Sequence, residues 1–181
     1  IHHCFAQPVI QKDYYTFIID IYSTNSVSDL VNMFGKAIID ALRPKGRSAW
    51  EKFLIALSSL RSEISFDING APVWGIGIGN IVNPEITLDE IFAYLNQADK
   101  PCLVAIDEFQ QITNYADNRI EALLRTYIQR CTNAHFIFSG SHRHLMAEMF
   151  GSAKRPFYRS TEKMNLTSIP LEDYSLFAIR W

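Results

Sequence analysis

At 181 residues, 48% of them hydrophobic and 20% charged, the chain has the composition of a globular domain with room for one substantial core. A net charge of −2 gives no general attraction to nucleic acid or to an anionic membrane, and no stretch approaches the roughly 18 apolar residues of a membrane span. Three cysteines without metal-ligand spacing, and no visible signal peptide, predict reduced thiols and a cytoplasmic location.

Residues 1–7 read as the tail of a helix halted by Pro8. His2-His3-Cys4 is a poor metal site, because neighbours on a helix diverge by about 100°. Residues 14–22 are aromatic and β-branched and predict a strand. After a loop of candidate caps, Val27, Leu30, Val31, Phe34, Ile38 and Leu42 recur at helical spacing until Pro44. Trp50, Phe53, Leu54, Leu57 and Leu60 predict a second helix. Over residues 65–80 the Asn69-Gly70 turn signal, followed by glycines alternating with Trp74, Ile76 and Ile78, predicts an inserted β-hairpin. These glycines lack the Gly-Lys-Ser/Thr ending of a phosphate loop. Thr87-Leu88-Asp89-Glu90 is a capping-box pattern, with Ile86 and Ile91 placed for a hydrophobic staple.

Residues 102–106, Cys-Leu-Val-Ala-Ile, form an unbroken apolar run that ends in Asp107-Glu108. Such a run predicts a strand buried on both faces in a parallel sheet, with its carboxylates emerging at the C-terminal end where open α/β sheets bind ligands. One amphipathic helix later (Ile120, Leu123, Leu124, Tyr127, Ile128) comes Phe136-Ile137-Phe138-Ser139-Gly140-Ser141. A right-handed crossover sets this second strand beside the first, its small hydroxyl residues level with the carboxylates. Leu145, Met146, Met149 and Phe150 give a short helical face. Met164-Asn165-Leu166 reads as a last strand, and a final helix starts near Leu171. The alternation of strand and helix predicts an α/β fold with a parallel sheet.

Ile-Asp-Glu-Phe-Gln (106–110), Phe-Ser-Gly-Ser (138–141) and Arg-Pro-Phe-Tyr-Arg (155–159) together resemble an archaeal and bacterial P-loop ATPase family related to the AAA+ and STAND NTPases. The resemblance implies a three-layer αβα core with a parallel sheet, truncated here at both ends. It implies one partial ATPase domain over residues 1–181, with a C-terminal lid or winged-helix region beyond it. It further implies ATP and Mg2+ as ligands, and a homo-oligomer or a protein partner for a regulatory or remodelling step. By the same resemblance Asp107 holds the metal, as in a Walker B element, and Glu108 is the general base. Ser139 or Ser141 serves as sensor 1, and Arg159 and Arg155 reach phosphate. Asp20, at the end of the first strand, is a weaker candidate for the rim.

One departure matters. The only Gly-Lys pair, Gly35-Lys36, is followed by Ala37 and lies inside a helical pattern, so the chain carries no Gly-x-x-x-x-Gly-Lys-Ser/Thr loop. The resemblance places that loop and its strand ahead of Ile1, in the centre of the sheet, leaving neighbouring strands with unpaired backbone. A non-catalytic interaction module on the same scaffold is the competing expectation. A nuclease is a third, and it requires further carboxylates to converge on Asp107.

Overall fold

The computed structural model describes residues 1–42, 64–66, 72–74, 83–166 and 168–179. Three parallel strands form its main sheet: β1 (Tyr15–Asp20), β4 (Cys102–Asp107) and β5 (Ala134–Phe138), in the order β1-β4-β5. β4 is central, and no gap separates it from either neighbour. Its register sets Asp107 opposite Asp20 on one side and Ile106 opposite Phe138 on the other. The apolar run of β4 therefore lies where its burial contributes most, with Cys102, Val104, Ala105 and Ile106 all inaccessible to solvent.

One face of the sheet carries Phe17, Ile19, Cys102, Val104, Ile106 and Phe136. It packs under α3 (Val27–Leu42), α4 (Pro84–Gln97) and α5 (Ile120–Arg130) in a single apolar cluster. Phe34, Phe92, Phe136 and Tyr127 stack through this layer at centroid distances of 5.1–6.3 Å. On the opposite face Ala105 is buried, Thr16, Ile18 and Leu103 are half-buried, and His135 and Ile137 are exposed. The second covering layer of a three-layer sandwich is thus not completed by the described residues. Gly35-Lys36 lies within α3.

Several local expectations shift. Pro8 does not merely stop α1 (His2–Phe5); it opens a second short helix, α2 (Pro8–Asp13), where its fixed φ suits the first turn. The start of α4 lies three residues ahead of the capping-box pattern. Asn83 is the cap, its side chain accepting from the Ile86 amide at 3.3 Å, and Pro84 follows at the first helical position. Thr87 is consequently inside the helix, its hydroxyl donating to the Asn83 carbonyl at 3.1 Å. Ile86 is half exposed and forms no staple.

Two short strands, β2 (Ile64–Phe66) and β3 (Pro72–Trp74), pair antiparallel with Ile64 opposite Trp74. The other residues of the 65–80 stretch, and the predicted helix around Trp50–Leu60, lie outside the described residues. α6 (Arg143–Gly151) follows β5, and α7 (Leu171–Ile179) begins where expected. Met164-Asn165-Leu166 is irregular rather than a strand, with Met164 and Leu166 largely exposed.

Candidate functional site

The C-terminal ends of β4 and β5 continue their pairing one step beyond the strands. The Ser139 amide donates to the Ile106 carbonyl at 3.0 Å, and the Phe109 amide donates to the Ser139 carbonyl at 2.9 Å. This pins Ser139 beside Asp107, where its hydroxyl donates to Asp107 Oδ1 at 2.7 Å. The Glu108 amide donates to the same oxygen at 3.0 Å. Asp107 Oδ1 is thereby occupied, while Oδ2 has no partner among the described residues.

Glu108 sits at the break between β4 and a 3-10 helix (Phe109–Asn114) that the sequence reading did not anticipate. Its backbone is left-handed, φ 55° and ψ 39°, a region that costs a residue with a β-carbon about 1–2 kcal/mol. The bend turns the side chain toward the β5–α6 loop. There Glu108 Oε2 accepts from the Ser141 hydroxyl at 2.9 Å, the Ser141 amide at 3.4 Å and the Gln110 side-chain amide at 2.5 Å. The Gln110 and Ser141 hydrogen bonds hold the Glu108 carboxyl below its ordinary value, outweighing a smaller opposing push from burial. Both carboxylates of the rim therefore have one oxygen tied and one without a partner among the described residues. Each serine holds a different carboxylate, Ser139 that of Asp107 and Ser141 that of Glu108.

Aromatic rings support the rim from below. Phe109, which directly follows Glu108, meets Phe138, Phe150 and Phe157 at 4.4–5.9 Å, and Phe157 is fully buried. A second tie runs to the β1–α3 loop. The Thr24 hydroxyl donates to the Ile21 carbonyl at 2.6 Å, so the Tyr115 hydroxyl, 2.5 Å away, donates to Thr24. The Gln111 side chain donates to the Thr24 carbonyl at 3.0 Å.

Asp20 is exposed across the register from Asp107, and its Oδ1 accepts from the Tyr22 amide at 2.9 Å. Among the described residues no three His, Cys, Asp or Glu side chains gather as a metal site, so the converging carboxylates required of a nuclease are not found there. The single open oxygen of Asp107 suits a hard cation such as Mg2+, which keeps most of its waters and binds proteins through one or two carboxylates.

The arginines lie elsewhere. The guanidinium of Arg155, expected at phosphate, is instead committed to Glu121 on α5 and approaches Glu148 at 3.9 Å. Glu121 is 8% exposed, and burial pushes its carboxyl above the usual range despite the pull of Arg155. Arg159 is exposed, its guanidinium 5.1 Å from the centre of the Tyr158 ring. Neither arginine contacts Asp107 or Glu108. The sequence reading missed Gln110 and Gly140 as parts of the rim, although each stands inside a motif it had singled out.

No helix of the described residues is long and apolar enough to cross a membrane, and Cys4, Cys102 and Cys131 are free thiols. No protein-family model matches the chain, and no curated protein matches it. Among solved structures, a Walker-type ATPase of Pyrococcus abyssi aligns with 79% of this chain and 39% of its own length, with a TM-score of 0.46 and 20% identity. That likeness is too distant to carry an argument, and the reading of the site rests on its geometry.

Proposed function

We propose that the polypeptide containing this rim binds ATP with Mg2+ and hydrolyses it, and that hydrolysis drives a regulatory or remodelling change in a partner or a second copy. One observation carries the reading: two carboxylates stand at the C-terminal end of β4, each with one oxygen fixed by a serine of the segment that follows the adjacent parallel strand β5. Asp107 would hold the cation through its open oxygen. The cation would neutralise charge on the terminal phosphates. Glu108 would accept the proton of the attacking water at Oε1, while Ser141 and Gln110 hold Oε2. Ser139 fixes the orientation of Asp107 and leaves its second oxygen free. Arg159, an exposed cation beside the Tyr158 ring, would meet phosphate across a subunit contact; Arg155 is occupied by Glu121.

A non-catalytic interaction module is the second reading, and the lack of a Gly-x-x-x-x-Gly-Lys-Ser/Thr motif in the chain favours it. Steady-state ATP hydrolysis by the intact polypeptide separates the two. Glu108→Gln is expected to lower kcat about 10²–10⁴-fold, as loss of a general base does, with nucleotide affinity retained. An unchanged rate in that variant removes Glu108 from the chemistry, and no hydrolysis by the unsubstituted polypeptide leaves the interaction module standing.

A further inference from the structure

Of the two side chains that hold Glu108 Oε2, Gln110 is the one whose presence the packing around it makes hardest to explain otherwise. Gln110 lies two positions on, in the first turn of the 3-10 helix, and is 5% exposed. Its amide nitrogen donates to Glu108 Oε2, and its carbonyl oxygen is buried without a partner among the described residues. A carboxylate only accepts, so the amide is oriented with nitrogen toward Glu108 and oxygen away. The oxygen is turned onto Gly140, between the two serines of the rim. A β-carbon at residue 140 would stand 2.1 Å from Gln110 Oε1 and 2.9 Å from Met146 Sδ. The amide therefore occupies the space that a side chain at 140 would fill. Leaving a buried carbonyl unpaired carries a desolvation penalty, which a leucine of similar volume would avoid. Packing therefore does not explain a glutamine at 110; its bond to Glu108 does.

We propose that Gln110 is a positioning residue for Glu108, and that Gly140 is required because it admits the Gln110 amide beneath the β5–α6 loop. With Gln110 and Ser141 both on Oε2, the carboxylate cannot rotate freely and Oε1 is presented in one orientation. The role in hydrolysis rests on Glu108 being the base; the contact itself does not.

Two measurements on the intact polypeptide test this separately. The first is the 15N-detected side-chain amide signal of Gln110, which is expected to lie downfield and to resist exchange. Glu108→Ala should return it to the position of a free amide, and Gly140→Ala should do the same by displacing the group. A signal indifferent to Glu108→Ala overturns the proposal whether or not ATP is hydrolysed. The second is kinetic. Gln110→Leu keeps the volume, removes the orphaned carbonyl and is expected to fold. It should lower kcat about 10–100-fold, the equivalent of one hydrogen bond to a charged group, with KM unchanged. In a Glu108→Gln background the same substitution should have no further effect, an outcome that a purely structural role would not produce. An unchanged kcat in Gln110→Leu overturns the positioning role. A Gln110 signal that responds to Glu108→Ala, in a polypeptide that hydrolyses no ATP, supports the positioning contact and overturns the ATPase reading alone.

Discussion

The carboxylate rim and the segment after α6 are both rich in charged residues, yet different forces hold them. At the rim each ionised group is tied on one oxygen by a neighbouring hydroxyl or amide and left open on the other. In the segment, residues 152–160, Phe157 is sunk among Phe109, Phe138 and Phe150, and Arg155 is closed onto Glu121. The first arrangement leaves groups available for chemistry; the second turns its charges onto one another, with Glu121 Oε2 and Arg155 Nε left without a hydrogen-bond partner among the described residues, and fastens the chain to α5 and the rim's aromatic base. A charge in sequence has no fixed meaning until its partner is known.

The comparison breaks most readily at Phe157. Phe157→Ala should destabilise the fold by about 3–5 kcal/mol, the usual effect of emptying a buried aromatic site, as read by denaturant unfolding. A loss below about 1 kcal/mol would mean that the segment is held by something other than the ring cluster. Arg155→Leu comes next, at about 3 kcal/mol near neutral pH, because it leaves the buried Glu121 carboxylate uncompensated. Glu121 is already pushed upward by burial, so its folded value lies above its unfolded one. The stability of this variant should therefore be greatest below the unfolded value and fall as pH rises through the folded one. Equal losses at acid and neutral pH would show that Glu121 does not depend on Arg155, and would make that arginine a candidate phosphate contact again.

Tyr115→Phe gives the smallest effect and sharpens the comparison from the rim side. It removes one buried hydrogen bond to Thr24 and should cost about 1 kcal/mol. Burial pushes the Tyr115 hydroxyl up to about 12. Its contribution is full below the ordinary tyrosine value of about 10 and is lost as pH rises toward 12. The variant should accordingly lose stability less steeply over that alkaline interval. An unaltered slope would place the alkaline sensitivity in other groups, such as Tyr127 or Cys102.

Much of this architecture was legible from patterning. The unbroken apolar run of β4 and the crossover helix to β5 fixed which strands are neighbours, and that adjacency brought Ser139 and Ser141 level with Asp107 and Glu108. Local chemistry was less decisive where two signals competed. Asn83-Pro84 prevailed over the capping-box pattern at Thr87, and Pro8 both ended one helix and began another. Long-range pairings left no local trace. Arg155 and Glu121 are 34 positions apart on different elements, and nothing near either announces the other. Gln110 is intermediate: its closeness to Glu108 was visible, but the orientation of its amide depends on a missing β-carbon 30 residues away.

The left-handed backbone at Glu108 sets two kinds of fitness against each other. Glycine would occupy that conformation without strain, so a chain selected for thermal robustness alone would drift toward glycine at position 108. Such a chain would lose the side chain that both Ser141 and Gln110 hold. The sharp bend that aims the carboxylate is thus also the place where a sturdier protein would become an idle one.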